Sequence, residues 1–160
     1  MESVFESKFL QVHEGQPELS REINEFFQRY EKDSDSGGTS FLSRAYAESF
    51  IFCGPESQQA VKREDFLMAL PKMKGFYRSI GLTSTKLLST QVKMLDDCHA
   101  IVKTECQMTF EPKGRDVVVE TIFATSILSL QPDMKIVFQL DHQDLMKKVK
   151  ERGLVSEGKR

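Results

Sequence analysis

The sequence has no tryptophan and only five prolines and three cysteines. Each scarcity narrows what the chain can be. Cys53, Cys98 and Cys106 form an odd set without CxxC spacing, which argues against a disulfide framework and a thiolate metal site. Neither a metal nor a cofactor is expected. No apolar run approaches the length of a membrane span, and residues 1–8 lack the basic, apolar and small-residue segments of a secretory signal. The expectation is a cytoplasmic protein with no membrane partner. Charge of one dominant sign is missing too: the formal net charge is -2 with 29% charged residues, too weak a field to attract a polyanion, so nucleic acid is not expected as a partner. No glycine-rich phosphate loop occurs, since Gly37-Gly38 follows an acidic run and reads as a turn between helices.

What is present is a hydrophobic share of 39% over 160 residues, enough for one substantial core. The domain runs over residues 17–141, after a loosely ordered segment 1–16 and before a basic helix and frayed tail at 142–160. Charge is uneven along this frame. Residues 1–36 carry nine acids and four bases, and residues 147–160 carry six bases and two acids.

Pro17 suits a first helical turn, and Leu19, Ile23, Phe26, Phe27 and Tyr30 recur at helical spacing opposite a charged face. The turn-forming run 33–38 ends that helix, and Thr39 or Ser40 is positioned to cap a short second one through Tyr46. Residues 49–53 read as a short strand closed by Gly54-Pro55 and followed by a polar connection. A third helix opens at Arg63-Glu64-Asp65 with Phe66, Leu67, Leu70 and Met73 on its apolar side, and Pro71 is expected to kink or break it. From Thr83 the period becomes two. Long runs at 85–95, 98–111, 116–130 and 135–140, separated by short turns, predict an antiparallel meander. The second run places Ala100, Val102, Thr104, Cys106, Met108 and Phe110 on one face. The third is apolar on both faces, which predicts that its outer face is covered by a second copy of the chain. Asp141 reads as the cap of a last helix ending near Arg152 and Gly153. The fold class is therefore α+β: a curved antiparallel sheet, three N-terminal helices closing its concave face, and a short C-terminal helix.

Candidate chemistry is sparse. Tyr30, Tyr46 and Tyr77 are the only phenols, each able to face a pocket or to bury its ring with the hydroxyl at the edge. Glu120 lies between Val118 and Ile122, so it is either a buried general acid or base, or a carboxylate of the outer face. Asp141, His142 and Asp144 match no zinc spacing, and helix capping explains them more simply. Cys106 reads as a small hydrophobe. The basic residues Lys147, Lys148, Lys150 and Arg152 read as a solvated face.

The order of elements, with Ile23 to Tyr30 in the first helix, Val61 to Leu67 opening the third, Leu95 to Val102 at the first hairpin and Met134 to Phe138 in the last strand, resembles the nuclear transport factor 2-like superfamily, near its SnoaL-like and DUF4440-like members. That resemblance implies a cone with an apolar cavity and frequent dimerisation through the outer face of the sheet. It covers roughly residues 17–141 and implies a pocket formed by Phe27, Tyr30, Tyr46, Phe50, Met68, Cys106, Ser126 and Phe138. Compared with the steroid isomerases of that superfamily, the helix-one phenol falls on Phe26 or Phe27, the base carboxylate on Gly54 and the sheet acid near Ser126. The expected catalytic groups are thus missing. The expected function is non-enzymatic binding of a small, mostly apolar ligand or a protein partner by a homodimer. The alternative is an isomerase, dehydratase or polyketide cyclase that uses general acid–base chemistry, with Glu120, Tyr30 or Tyr46 as candidate groups.

Overall fold

The computed structural model describes residues 17–155. The expected loose start at 1–16 and frayed end at 156–160 lie outside the described residues. Helix α1 spans Pro17–Ser36 and buries Ile23, Phe26 and Phe27 along one side. Gly37 ends it with φ +78°, a backbone conformation that glycine adopts without strain. The short helix α2, Leu42–Ala45, takes its cap from an unexpected source. Neither Thr39 nor Ser40 caps it; the Asp33 carboxylate at the end of α1 instead accepts from the amides of Phe41 at 3.0 Å and Leu42 at 3.2 Å.

Strand β1 covers Tyr46–Cys53, so Tyr46 opens a strand rather than closing a helix. The polar connection is itself a strand, β2 at Gln58–Lys62, pairing antiparallel with β1. Its residues are mostly exposed, so no alternation of buried side chains marked it. Helix α3, Arg63–Ser79, runs through Pro71 without a break. Pro71 is exposed, and on that side water can satisfy the carbonyl that loses its amide partner. Gly81, with φ +106°, lies so near residues 111 and 112 that a β-carbon would meet the Pro112 nitrogen at 2.9 Å. Its carbonyl accepts from the Glu111 amide at 2.7 Å, which fixes the junction between α3 and the sheet.

Strands β3 (Leu82–Met94), β4 (His99–Phe110), β5 (Val118–Ser129) and β6 (Lys135–Asp141) form the expected meander. The sheet order is β2-β1-β6-β5-β4-β3. All neighbours run antiparallel except β1 and β6, which run parallel and make the curved, unclosed sheet mixed. Side chains opposite one another across strands share a face, so the register sorts the whole sheet. Ala100, Val102 and Leu128 point inward to the main core with Ile23, Leu42, Tyr46 and Ile136. Helix α1 packs across β3, where Thr90 Oγ1 donates to Asn24 Oδ1 at 3.1 Å.

One irregularity decides which residues of the last strand face the core. Ile127 pairs with Phe138, but Leu128 pairs with Ile136, so β6 carries one extra residue at Val137. Beyond that bulge the parity flips: Phe138 and Leu140 turn outward, while Gln139 and Asp141 turn inward opposite Ser126 and Ala124. Helix α4, Leu145–Glu151, then folds back over the sheet and buries Val149 beside Met108 and Phe110. Its cap is Asp144, whose carboxylate accepts from the Lys147 amide at 3.1 Å, not Asp141 as the sequence led us to expect.

Candidate functional site: an apolar cavity with one polar row

Between the helices and the inner face of the sheet lies a cavity of about 280 Å³. Helix α1 lines it with Phe27, Tyr30, Glu31 and Ser34, which fall on one side at i, i+3, i+4 and i+7. Helix α3 adds Phe66, Leu70, Met73, Lys74 and Tyr77, and the sheet adds Leu87, Thr104, Cys106, Met108, Ile122, Ala124, Ser126 and Ile136 among others. Leu145, the first residue of α4, contributes to the same wall. Carbon dominates these surfaces. Walls of this kind favour the burial of apolar ligand surface.

Among the polar side chains, one connected row runs from α1 to the end of β6. The hydroxyls of Tyr30 and Tyr46 lie 2.6 Å apart. Tyr46 donates to Gln139 Oε1 at 2.6 Å, and Gln139 Nε2 donates to Asp141 Oδ1 at 3.2 Å. Tyr30, Gln139 and Asp141 line the cavity, while Tyr46 is fully buried behind them. Burial pushes the Tyr30 phenol up to about 12 and the Tyr46 phenol well above its ordinary value. Both therefore keep their protons across the ordinary pH range. Burial also raises the Asp141 carboxyl above the usual aspartate value, against the smaller opposing pull of the Gln139 hydrogen bond and His142. The Cys106 thiol is pushed up to about 11, first by burial and then by Glu31 and Glu105, so it is a weak nucleophile. At the rim, burial raises Glu31 and lowers Lys74.

Four of the eight expected pocket residues line this cavity: Phe27, Tyr30, Cys106 and Ser126. The other four lie elsewhere. Tyr46 and Phe50 stand behind the wall, their rings 4.5 Å apart and both packed on Phe66. Met68 is 76% exposed, because two residues from both Phe66 and Leu70 lies the opposite side of α3. Phe138 is turned to the outer face by the bulge at Val137. Phe26 and Phe27 carry no hydroxyl, and Tyr30, one turn later, lines the cavity.

Glu120 does point to the inner side, but α4 covers it. Arg152 Nε donates to its Oε1 at 2.6 Å and Lys148 Nζ to its Oε2 at 3.3 Å. Burial on its own would raise this carboxyl, and the two cations outweigh that and hold it below the usual glutamate value. Glu120 is therefore an anchor for α4 and does not reach the cavity. The same contacts engage two of the basic residues expected to form a solvated face. The acids that line the cavity are Glu31 at its rim and Asp141 at the end of the polar row, the latter hidden in the sequence as a helix cap.

A second depression of about 380 Å³ lies at the opposite end of the sheet, between Leu19, Met94, Leu130, Met134 and the acids Glu22, Asp96 and Asp97. It is larger, but the Asp96 side chain at its edge is 60% exposed, and none of the phenols reaches it. A groove lined mainly by polar surface holds an apolar molecule less well than a mainly apolar cavity, so the inner cavity is the better candidate. Among the described residues no three His, Cys, Asp or Glu side chains are grouped to hold a metal ion. Among the described residues no helix is long and apolar enough to cross a membrane.

The fold has counterparts among solved structures. An NTF2-like protein with a cystatin-like fold from Novosphingobium aromaticivorans superposes with a TM-score of 0.63 at 16% identity, covering 98% of this chain and 99% of that one. Aln2 from a Streptomyces species gives 0.66 at 16% identity over 84% and 96%, and an NTF-2 like protein of unknown function from Shewanella oneidensis gives 0.61 at 15% over 78% and 99%. None of the curated proteins matches the chain. At such identities these likenesses speak for the fold alone. The family itself rests on sequence: a family model described as NTF2-like protein (DUF6841) matches residues 21–134, and the chain belongs to that NTF2-like family.

Proposed function

We propose that the chain binds a small, mostly apolar molecule carrying one polar group, held in the cavity between α1, α3 and the sheet. The observation that carries this reading is the walled volume of about 280 Å³, lined by side chains such as Phe27, Leu70, Met108 and Ile122 and interrupted on one side by Tyr30, Gln139 and Asp141. Apolar walls supply affinity, and the polar row supplies orientation. N-phenyl-1-naphthylamine, which brightens in apolar surroundings, is the probe. Its emission rises with the wild-type protein and stays low with Ala124→Phe, whose ring fills the cavity. Equal emission from both proteins would contradict the reading.

A second reading is favoured by one observation, the buried carboxyl of Asp141 in the cavity wall. A carboxyl with a raised pKa beside a bound ligand is equipped for proton transfer, as in an isomerase, dehydratase or cyclase. Asp141, not Glu120, is the group that would carry it. Turnover of a hydroxy-ketone that Asp141→Asn abolishes supports this reading. Turnover that survives the substitution removes Asp141 from it.

The partner we propose is a second copy of the chain. Ile51, Phe138, Ile127 and Ile101 stand opposite one another across four strands on the outer face, with Ile51 42% exposed. A continuous apolar row of this length favours burial against a like surface. Light scattering at micromolar concentration gives twice the 18.3 kDa chain mass, and Ile127→Lys returns it to the monomer value. A wild-type monomer contradicts the dimer. A cytoplasmic location accords with the free thiols of Cys53, Cys98 and Cys106.

A further inference from the structure

The hydrogen-bond row has a direction, and the direction limits what the cavity can hold. With Asp141 ionised, its carboxylate only accepts, so the Gln139 amide must turn Nε2 toward Oδ1, the 3.2 Å contact that is present. That leaves Gln139 Oε1 facing Tyr46. An amide oxygen also only accepts, so the single Tyr46 proton is committed to it over 2.6 Å. The contact between the two phenols is equally short, and Tyr46 has no second proton to give. Tyr30 therefore donates to Tyr46. Its one proton is spent inside the row, and its oxygen keeps acceptor capacity at the wall it shares with Phe27, Cys106 and Ala124.

We infer that the cavity selects its ligand by a hydroxyl donor: an alcohol or phenol on a compact apolar frame, whose proton is accepted by the Tyr30 oxygen. A ketone of the same shape places an acceptor against an acceptor at that position and loses the bond. The alternative direction, in which Tyr30 donates into the cavity, requires every proton in the row to reverse and one to be added to Asp141. This inference rests on the ligand-binding reading above and adds the polarity of the ligand to it.

The test compares 1-tetralol with 1-tetralone, two bicyclic molecules that differ in a C–OH and a C=O. Titration calorimetry is run at pH 8, where ionisation of Asp141 is favoured. The wild-type protein binds the alcohol about tenfold more tightly, the size of one net hydrogen bond in a dry site. In Tyr30→Phe, whose fold is checked by circular dichroism, the difference falls to within about twofold while ketone binding is unchanged. Equal binding of the two by the wild-type protein, or preference for the ketone, overturns the inference and leaves the binding reading intact. Preference for the alcohol that persists in Tyr30→Phe overturns it as well. Binding of neither molecule overturns the binding reading and the inference together.

Discussion

Tyr46 and Gln139, 93 residues apart in the sequence, are joined by a 2.6 Å hydrogen bond from the phenol to the amide oxygen. The bond links the first strand of the sheet to the last, directly behind the cavity wall. Tyr46→Phe removes it and leaves a largely buried amide oxygen without its donor, which costs about 1–3 kcal/mol. Urea unfolding followed by circular dichroism reads that loss as a lower midpoint. An unchanged midpoint would show that the row orients side chains without stabilising the fold.

Asp141 governs one part of the pH dependence. Its folded-state pKa lies above the unfolded value of about 3.9, because burial disfavours the charge. Its contribution to stability is therefore whole below the unfolded value and declines as pH rises through the folded one. Asp141→Asn keeps an acceptor for Gln139 and carries no charge. The substituted protein melts higher than wild type at pH 7, and the two melting points converge toward pH 3. A gap that widens as the pH falls would reverse the sign and contradict the assignment.

Glu120 acts in the opposite sense. Held below the ordinary glutamate value by Arg152 and Lys148, it contributes stability above its unfolded pKa of about 4.3, and loses it as pH falls through the folded value. Its carboxylate is 8% exposed, whereas Lys148 and Arg152 are 29% and 57% exposed, so solvent screens part of the attraction. Glu120→Gln then costs about 1–2 kcal/mol at pH 7. The loss concentrates in α4, where amide hydrogen exchange at Lys148 and Arg152 quickens first. Exchange that quickens equally in α1 would show that Glu120 supports the whole fold instead.

Much of the fold was legible because most elements bury one face. The stripe Ile23, Phe26, Phe27 in α1 and the alternation from Ala100 to Phe110 in β4 each mark a side that meets the core. Strand β2 was not legible, since an edge strand with mostly exposed side chains has no buried face to alternate. Pro71 misled for a related reason: its exposed position lets water replace the hydrogen bond that the ring removes.

The site was legible only where periodicity held. Phe27 and Tyr30 share the inner side of α1, and Cys106 and Ser126 follow the parity of unbroken stretches of β4 and β5. One inserted residue at Val137 then exchanges the faces of β6, turning Phe138 out and bringing Gln139 and Asp141 in. Nothing in the local sequence announces that bulge. Asp141 also stands three residues before the true cap, Asp144, so capping accounted for it too easily.

The central claim is that ligand enters the inner cavity, and methyl-labelled NMR locates it directly. Ile122, Ile136 and Met108 line the cavity, while Ile101 and Ile127 stand on the outer face and Met68 on the solvent side of α3. Titration with 1-tetralol shifts the methyl signals of the first group and leaves those of the second in place. Shifts confined to Ile101 and Ile127, or no shifts at all, would contradict the account.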